Sequence, residues 1–133
     1  DRRVALLGVR DQVRCLGVAR NVPELLMTHR LAALATHWEG MPLALIEGMA
    51  AGCAVVGSAV PGVREVIDDG VDGRLVAEHD DAALADTLAT LLTDDAEASR
   101  LGAAARVSAQ EKYGRELMHA RYEALCLELA RGG

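Results

Sequence analysis

Two carboxylates, Glu39 and Glu47, are the side chains of this sequence with the clearest potential for chemistry. Glu39 lies in a polar stretch, whereas Glu47 lies within residues 43–52, which contain no other polar side chain. This run predicts a helix without a water-facing side, so we expect Glu47 to be buried. A buried carboxylate without a partner costs several kcal/mol, and it therefore needs hydrogen-bond donors or a groove that admits them.

Two interpretations of Glu47 are compatible with this cost. In the first, an arginine from elsewhere in the chain pairs with the carboxylate, or the carboxylate emerges at the edge of the helix. In the second, the donors belong to a ligand, because the two hydroxyls of a sugar diol have a spacing that suits one carboxylate. Nucleotide-binding α/β folds use an acidic residue in this way on a ribose.

The segment 39–42 leads directly into the same predicted helix. Pro42 suits the first helical position, and Gly40 permits a tight turn and the close approach of a ligand. The free amide groups of a first helical turn attract a phosphate. The residue order therefore predicts a ribose at Glu47, a phosphate at the helix start, and the group beyond the phosphate at Glu39.

The elements that would position these residues alternate between short apolar runs and helical stretches. This alternation is typical of an α/β domain with parallel strands. Strands are predicted at 12–17, 31–36, 54–58 and 74–77. Helices are predicted to end before Gly8, to follow each of the first three strands, and to fill the chain beyond Asp80.

The composition limits the class of protein. The 133 residues are 51% hydrophobic, which is enough for the core of one domain. A net charge of −6 with no basic stripe argues against a nucleic-acid partner. The three cysteines, Cys15, Cys53 and Cys126, show neither the spacing of a disulfide framework nor that of a zinc site. We therefore expect buried free thiols, a reducing compartment and a cytoplasmic location.

The stretch EGMPLALIEGMAAG, residues 39–52, resembles a known motif in which seven residues separate two glutamates. The motif belongs to the retaining glycosyltransferases of the GT-B fold, family 4 type. The resemblance spans nearly the whole chain, since other linked stretches are similar in the same order. These are VRCLG at 13–17, NVPELL at 21–26, residues 54–76 and residues 80–94.

The resemblance implies the C-terminal, donor-binding half of the GT-B fold, with a Rossmann-like parallel sheet and flanking helices. The implied function is the binding of a nucleotide-diphosphate sugar for hexosyl transfer with retained anomeric configuration. Glu47 would hold the ribose. Glu39, the catalytic candidate, would contact hydroxyls of the transferred sugar beside the reacting carbon.

The remaining site residues also follow from the resemblance. The backbone at Gly40, Met41 and Leu43 would lie near the sugar and the diphosphate, and the loop near Val18 would lie against the base. No metal and no cofactor are expected. His37, in the same loop as Glu39, would line the pocket or pack, and packing or surface roles are favoured for His29, His79 and His119.

Members of this family also carry an N-terminal acceptor domain, and two further strands and an Arg–Lys pair open their donor domain. None of these precedes Asp1, so we expect residues 1–133 to form one partial domain that lacks the first two strands and is inactive alone. The incomplete sheet favours self-association. Peripheral membrane association would require the absent domain, and the acceptor is not identified.

Two alternatives compete with this interpretation. A non-catalytic binding or assembly module would keep the fold and bind no nucleotide. A flavodoxin-like signalling domain would need acidic residues at the strand ends to accept a phosphoryl group, and Thr36 and Ser58 stand at two such ends. The second alternative is therefore disfavoured.

Overall fold

A three-stranded parallel sheet forms the centre of the domain in the computed structural model, which describes residues 2–131. The strands are β1 (Leu31–Leu34), β2 (Ala54–Ser58) and β3 (Arg74–Val76), in the order β1-β2-β3. All five residues of β2 are buried, as expected for the central strand of a parallel sheet that is covered on both faces. The predicted α/β class with a parallel sheet is confirmed.

Helices flank this sheet and make up most of the described chain. A short 3-10 helix at Arg10–Gln12 and the open segment 13–21 precede the second α-helix. The α-helices are α1 (Arg2–Leu6), α2 (Val22–Thr28), α3 (Leu43–Ala51), α4 (Pro61–Arg64), α5 (Asp81–Thr93), α6 (Asp95–Tyr113) and α7 (Arg115–Arg131). Within residues 2–131, no helix has both the length and the apolar character that crossing a membrane requires.

The hydrophobic core lies on both faces of β2. Val55 packs on one face with Leu45 and Met49 of α3, while Val56 packs on the other with Leu91 and Leu101. The alternation follows from the two-residue period of a strand. Helix α6 contributes residues to both clusters.

Gly48 allows α3 to lie close to the sheet. A Cβ at this position would lie 3.0 Å from the Cβ of Ala32 and 3.3 Å from a methyl group of Val55. The helix propensity of glycine is poor, but here the absent side chain permits close packing of α3 on β1 and β2. Gly48 thus sets the distance between α3 and the sheet.

Two local predictions are wrong. Residues 12–17 form no strand, because a strand requires a neighbouring strand to pair with and this segment pairs with none of the described residues. The cysteines are free, as predicted, but only Cys53 is buried, whereas Cys15 and Cys126 are exposed. Cys15 lies in the open segment, and Cys126 lies on α7, which buries no residue.

Candidate functional site

The loop that carries Glu39 begins where β1 ends, and hydrogen bonds to neighbouring segments fix its first residues. The amide of Thr36 donates to the Oγ of Ser58, at the end of β2, over 3.0 Å. The hydroxyl of Thr36 donates to the carbonyl oxygen of Trp38, also over 3.0 Å. The loop is thereby held at the carboxyl edge of the sheet, where α/β folds bind their ligands.

The beginning of α4 supports the middle of the same loop. Gly62 is buried against the backbone of Glu39 and Gly40. A Cβ at position 62 would overlap the carbonyl oxygen of Glu39 and would lie 2.6 Å from that of Gly40. Only a glycine allows this approach, so the position of the Glu39 backbone depends on α4.

Glu47 occupies the outer face of α3, and the prediction that it is buried is wrong. Leu45, Gly48 and Met49 are the buried residues of α3, and Glu47 is exposed. The helix therefore has a water-facing side, which is formed by alanine and leucine side chains together with Glu47. An exposed carboxylate needs no partner, and the cost that pointed to a ligand no longer applies.

No ion pair involves Glu39 or Glu47 among residues 2–131. Glu39 is half-buried, and Glu47 borders a groove of about 310 Å³ between α2 and α3. Pro23, Leu26 and Met27 of α2 form the opposite wall of this groove. Among residues 2–131 no arginine pairs with Glu47, whereas the other form of the first interpretation, a carboxylate that emerges at the edge of the helix, agrees with its exposure. Both carboxylates can therefore accept hydrogen bonds from outside.

The amide groups at the start of α3 are partly available. The Leu43 amide donates to the carbonyl of Met41, and the Leu45 amide donates to the carbonyl of Pro42, each over 2.9 Å. In the described part of the chain, the amides of Gly40, Met41 and Ala44 donate to no acceptor. Three donors at a helix start suit an anionic group, whereas the Leu43 amide, which was expected near the diphosphate, is already bonded.

Four of the six predicted site residues border grooves, and these are three different grooves. Met41 and Leu43 line a groove of about 370 Å³ beside α7, together with the side chains of Lys112 and Arg121. Val18 is 96% exposed and borders a separate groove of about 500 Å³ near Arg14 and Arg20. Continuity of the chain places Glu39, Gly40, Met41 and Leu43 together, while the structure does not bring Val18 into the groove of Glu47.

Sequence reasoning missed a second polar cluster at this edge of the sheet. His37 follows β1, and Glu78 and His79 follow β3. The Nδ1 atom of His37 and the Nε2 atom of His79 lie 3.3 and 3.2 Å from the same Oε1 atom of Glu78. The predicted parallel strands could have indicated this cluster, because their carboxyl ends meet at one edge of a sheet. It was missed because His37 and Glu78 are 41 positions apart in the sequence.

The fold and the position of the loop define a Rossmann-like domain with a polar carboxyl edge. Residues 1–108 match the model of the family described as glycosyl transferases group 1, so the chain belongs to this family. The chain is 34% identical over 125 residues to N-acetyl-alpha-D-glucosaminyl L-malate synthase of Bacillus anthracis. The aligned region covers 94% of this chain and 33% of that enzyme, so the chain spans about a third of the relative's length.

Solved structures give the same architecture, that of the GT-B glycosyltransferases. Sucrose-phosphate synthase from Thermosynechococcus elongatus superposes with a TM-score of 0.93 at 25% identity, over 99% of this chain and 34% of that one. A variant of TarM from S. aureus, in complex with fondaparinux, alpha-GlcNAc-glycerol and UDP, superposes with a TM-score of 0.86 at 25% identity. That match covers 93% of this chain and 25% of TarM.

Proposed function

We propose that this chain is the donor-binding domain of a glycosyltransferase that transfers a hexose from a nucleotide-diphosphate sugar with retention of anomeric configuration. The observation that carries the proposal is the match of residues 1–108 to the glycosyltransferase family, and neither motif carboxylate forms an ion pair among residues 2–131. The presence of UDP in the TarM complex supports a nucleotide as part of the ligand.

Glu47 is the proposed ribose ligand. Its carboxylate stands on the outer face of α3 beside the groove formed with α2, where a diol can approach without displacing a protein partner. Two hydroxyls donating to one carboxylate make charge-assisted hydrogen bonds, which are about twice as strong as neutral ones. Val18, in the open segment before α2, is proposed to contact the base of the nucleotide. In this structure it borders a different groove from that of Glu47.

The loop before α3 is the proposed site for the diphosphate and the sugar. The free amides of Gly40 and Met41 would donate to phosphate or sugar oxygens, and the Leu43 backbone would lie alongside. Glu39, four residues before the helix begins, would accept from hydroxyls of the transferred sugar beside the reacting carbon. The amides of Gly40 and Met41 would donate where negative charge develops on the departing diphosphate.

Transfer is proposed for the whole protein, with the described domain inactive alone. A single partial domain of 133 residues would bind the donor but would lack the surface that holds an acceptor, whose identity stays open. The unpaired edge of β1 would favour self-association, because β1 pairs only with β2 among the described residues. A cytoplasmic location, and membrane association through another domain, stay predictions.

A thermal-shift panel of UDP, GDP, ADP and their sugar conjugates tests the proposal on this chain. A ligand that binds the folded state raises the melting temperature by mass action, so we expect one nucleoside diphosphate to raise it in a saturable way. If none of these compounds raises the melting temperature of the folded chain, the domain is a non-catalytic module and does not bind a donor. Retention is tested separately, by assigning the anomeric configuration of the product of the full-length protein by NMR.

A further inference from the structure

Three exposed side chains from two loops converge at the carboxyl edge of the sheet. His37 lies in the loop after β1, and Glu78 and His79 lie in the turn after β3. One ligand atom from each of the three lies within 4.8 Å of the other two. His37 and His79 border a groove of about 290 Å³ that is also lined by Arg3, Asp80 and Asp81.

The distances in this cluster match those around a tetrahedral metal ion. Zinc binds imidazole nitrogen and carboxylate oxygen at about 2.0–2.2 Å, which places neighbouring ligand atoms about 3.3–3.6 Å apart. The two nitrogen–oxygen distances are 3.3 Å for His37 and 3.2 Å for His79, both to Oε1 of Glu78. Two of the three edges of a ligand triangle therefore already have nearly the length that such an ion requires.

One metal ion can satisfy all three groups of this cluster. The two imidazole rings are stacked, with centroids 4.4 Å apart and planes inclined by 25°. A divalent cation accepts a lone pair from each neutral ring and from the carboxylate, so one ion can bind all three groups together.

We propose that His37, Glu78 and His79 form a binding site for one divalent transition-metal ion of the zinc type. Two histidines and one carboxylate leave a coordination position open, as in sites where zinc also holds water or a ligand group. The groove beside the cluster gives that position access to solvent. His37 lies in the same loop as Glu39, but neither Glu39 nor Glu47 is a ligand of the proposed site, and zinc binding can be measured without a nucleotide.

Calorimetric titration of zinc chloride into the tag-free chain tests the site. The exposed thiols Cys15 and Cys126 also attract zinc, so the titration uses the Cys15→Ser/Cys126→Ser background. We expect saturable binding of one ion per chain. His79→Ala should weaken binding by about tenfold or more, since loss of even an outer partner costs 10- to 100-fold in affinity.

Two controls make the result specific. His119→Ala removes an exposed histidine from α7, away from the cluster, and should leave the zinc affinity unchanged. Magnesium prefers oxygen ligands and should bind far more weakly than zinc. Absence of saturable zinc binding by the folded chain, or equal zinc affinities of the His79→Ala and His119→Ala variants, would show that the cluster is a surface ion pair.

Discussion

Gly62 and Glu39 lie in backbone contact, so α4 supports the loop that carries the first motif carboxylate. The contact is close enough that a Cβ on Gly62 would overlap the Glu39 carbonyl oxygen. A second contact, of the Thr36 amide with the Ser58 hydroxyl, fixes the same loop at its beginning. The position of Glu39 is therefore set by the end of β2 and the beginning of α4, which are about 20 residues away in sequence.

Gly62→Ala should destabilise the domain by about 1–3 kcal/mol, the usual cost of overpacking a buried contact. Chemical denaturation measures this change in the free energy of unfolding. Gly40→Ala is the matched control, because a Cβ there would meet only the Trp38 ring, at 4.0 Å. Equal stability of Gly62→Ala and the wild type would mean that the loop is free to move away from α4.

Ser58→Ala should also destabilise the domain, since the Thr36 amide would lose its acceptor. An unsatisfied, partly buried donor costs about 1–3 kcal/mol. Ser99→Ala, on the exposed side of α6, is the control. It removes a hydroxyl that has no hydrogen-bond partner among residues 2–131 and should change the stability little. Thermal denaturation of both variants measures the difference in their stability. Equal losses of stability in the two variants would contradict the role of Ser58 as the acceptor of the Thr36 amide.

The three thiols should differ in reactivity. Cys15 and Cys126 are exposed, whereas Cys53 is buried and donates to the carbonyls of Leu26 and His29 over 3.3 Å each. A thiol-specific chromogenic reagent should modify two cysteines rapidly at neutral pH and the third only after unfolding. Rapid modification of all three in the folded chain would show that α2 does not cover Cys53.

Burial raises the pKa of the Cys53 thiol, which has a consequence for stability in alkaline solution. The unfolded chain releases this proton at a lower pH than the folded chain does. The free energy of unfolding should therefore be unaffected by Cys53 below the ordinary thiol pKa and should fall as the pH rises above it. Cys53→Ser should show a smaller fall between about pH 8 and pH 10, measured by urea denaturation.

The isolated chain should transfer no sugar. Glycosyl transfer needs an acceptor held beside the reacting carbon, and the chain spans only a third of the glucosaminyl malate synthase that it resembles. Incubation with nucleotide sugars and candidate acceptors, followed by chromatography of the products, should show no product. Robust turnover by the purified chain would contradict the proposal that the domain requires a further part.

The periodic parts of the fold were predictable from the sequence. Helix α3 was predicted to run from Pro42 or Leu43 to Ala51, and the observed helix is Leu43–Ala51, with Pro42 before it and Gly52 after it. The strands β2 and β3 were predicted from short β-branched runs between turn residues. The strand at 12–17 was wrong because its formation depends on a partner strand, and a local sequence pattern contains no information about partners.

The sequence proposes a list of candidate site residues, which stays a prediction, but it does not predict their surroundings. The apolar run around Glu47 suggested burial, yet an alanine-rich helix can face water along one side, and packing against β1 and β2 selects which side. The His37 and His79 cluster was missed because its members come from two separate loops. Only the parallel order of the strands brings those loops to one edge of the sheet.

Calorimetric titration of Glu47→Ala with the nucleoside diphosphate that stabilises the wild type tests the donor-binding proposal most directly. Loss of two charge-assisted hydrogen bonds to the ribose should weaken the affinity at least about tenfold. Glu128→Ala, which removes an exposed carboxylate from α7, should bind like the wild type. An affinity of Glu47→Ala equal to that of the wild type would contradict the role of Glu47 in holding the ribose.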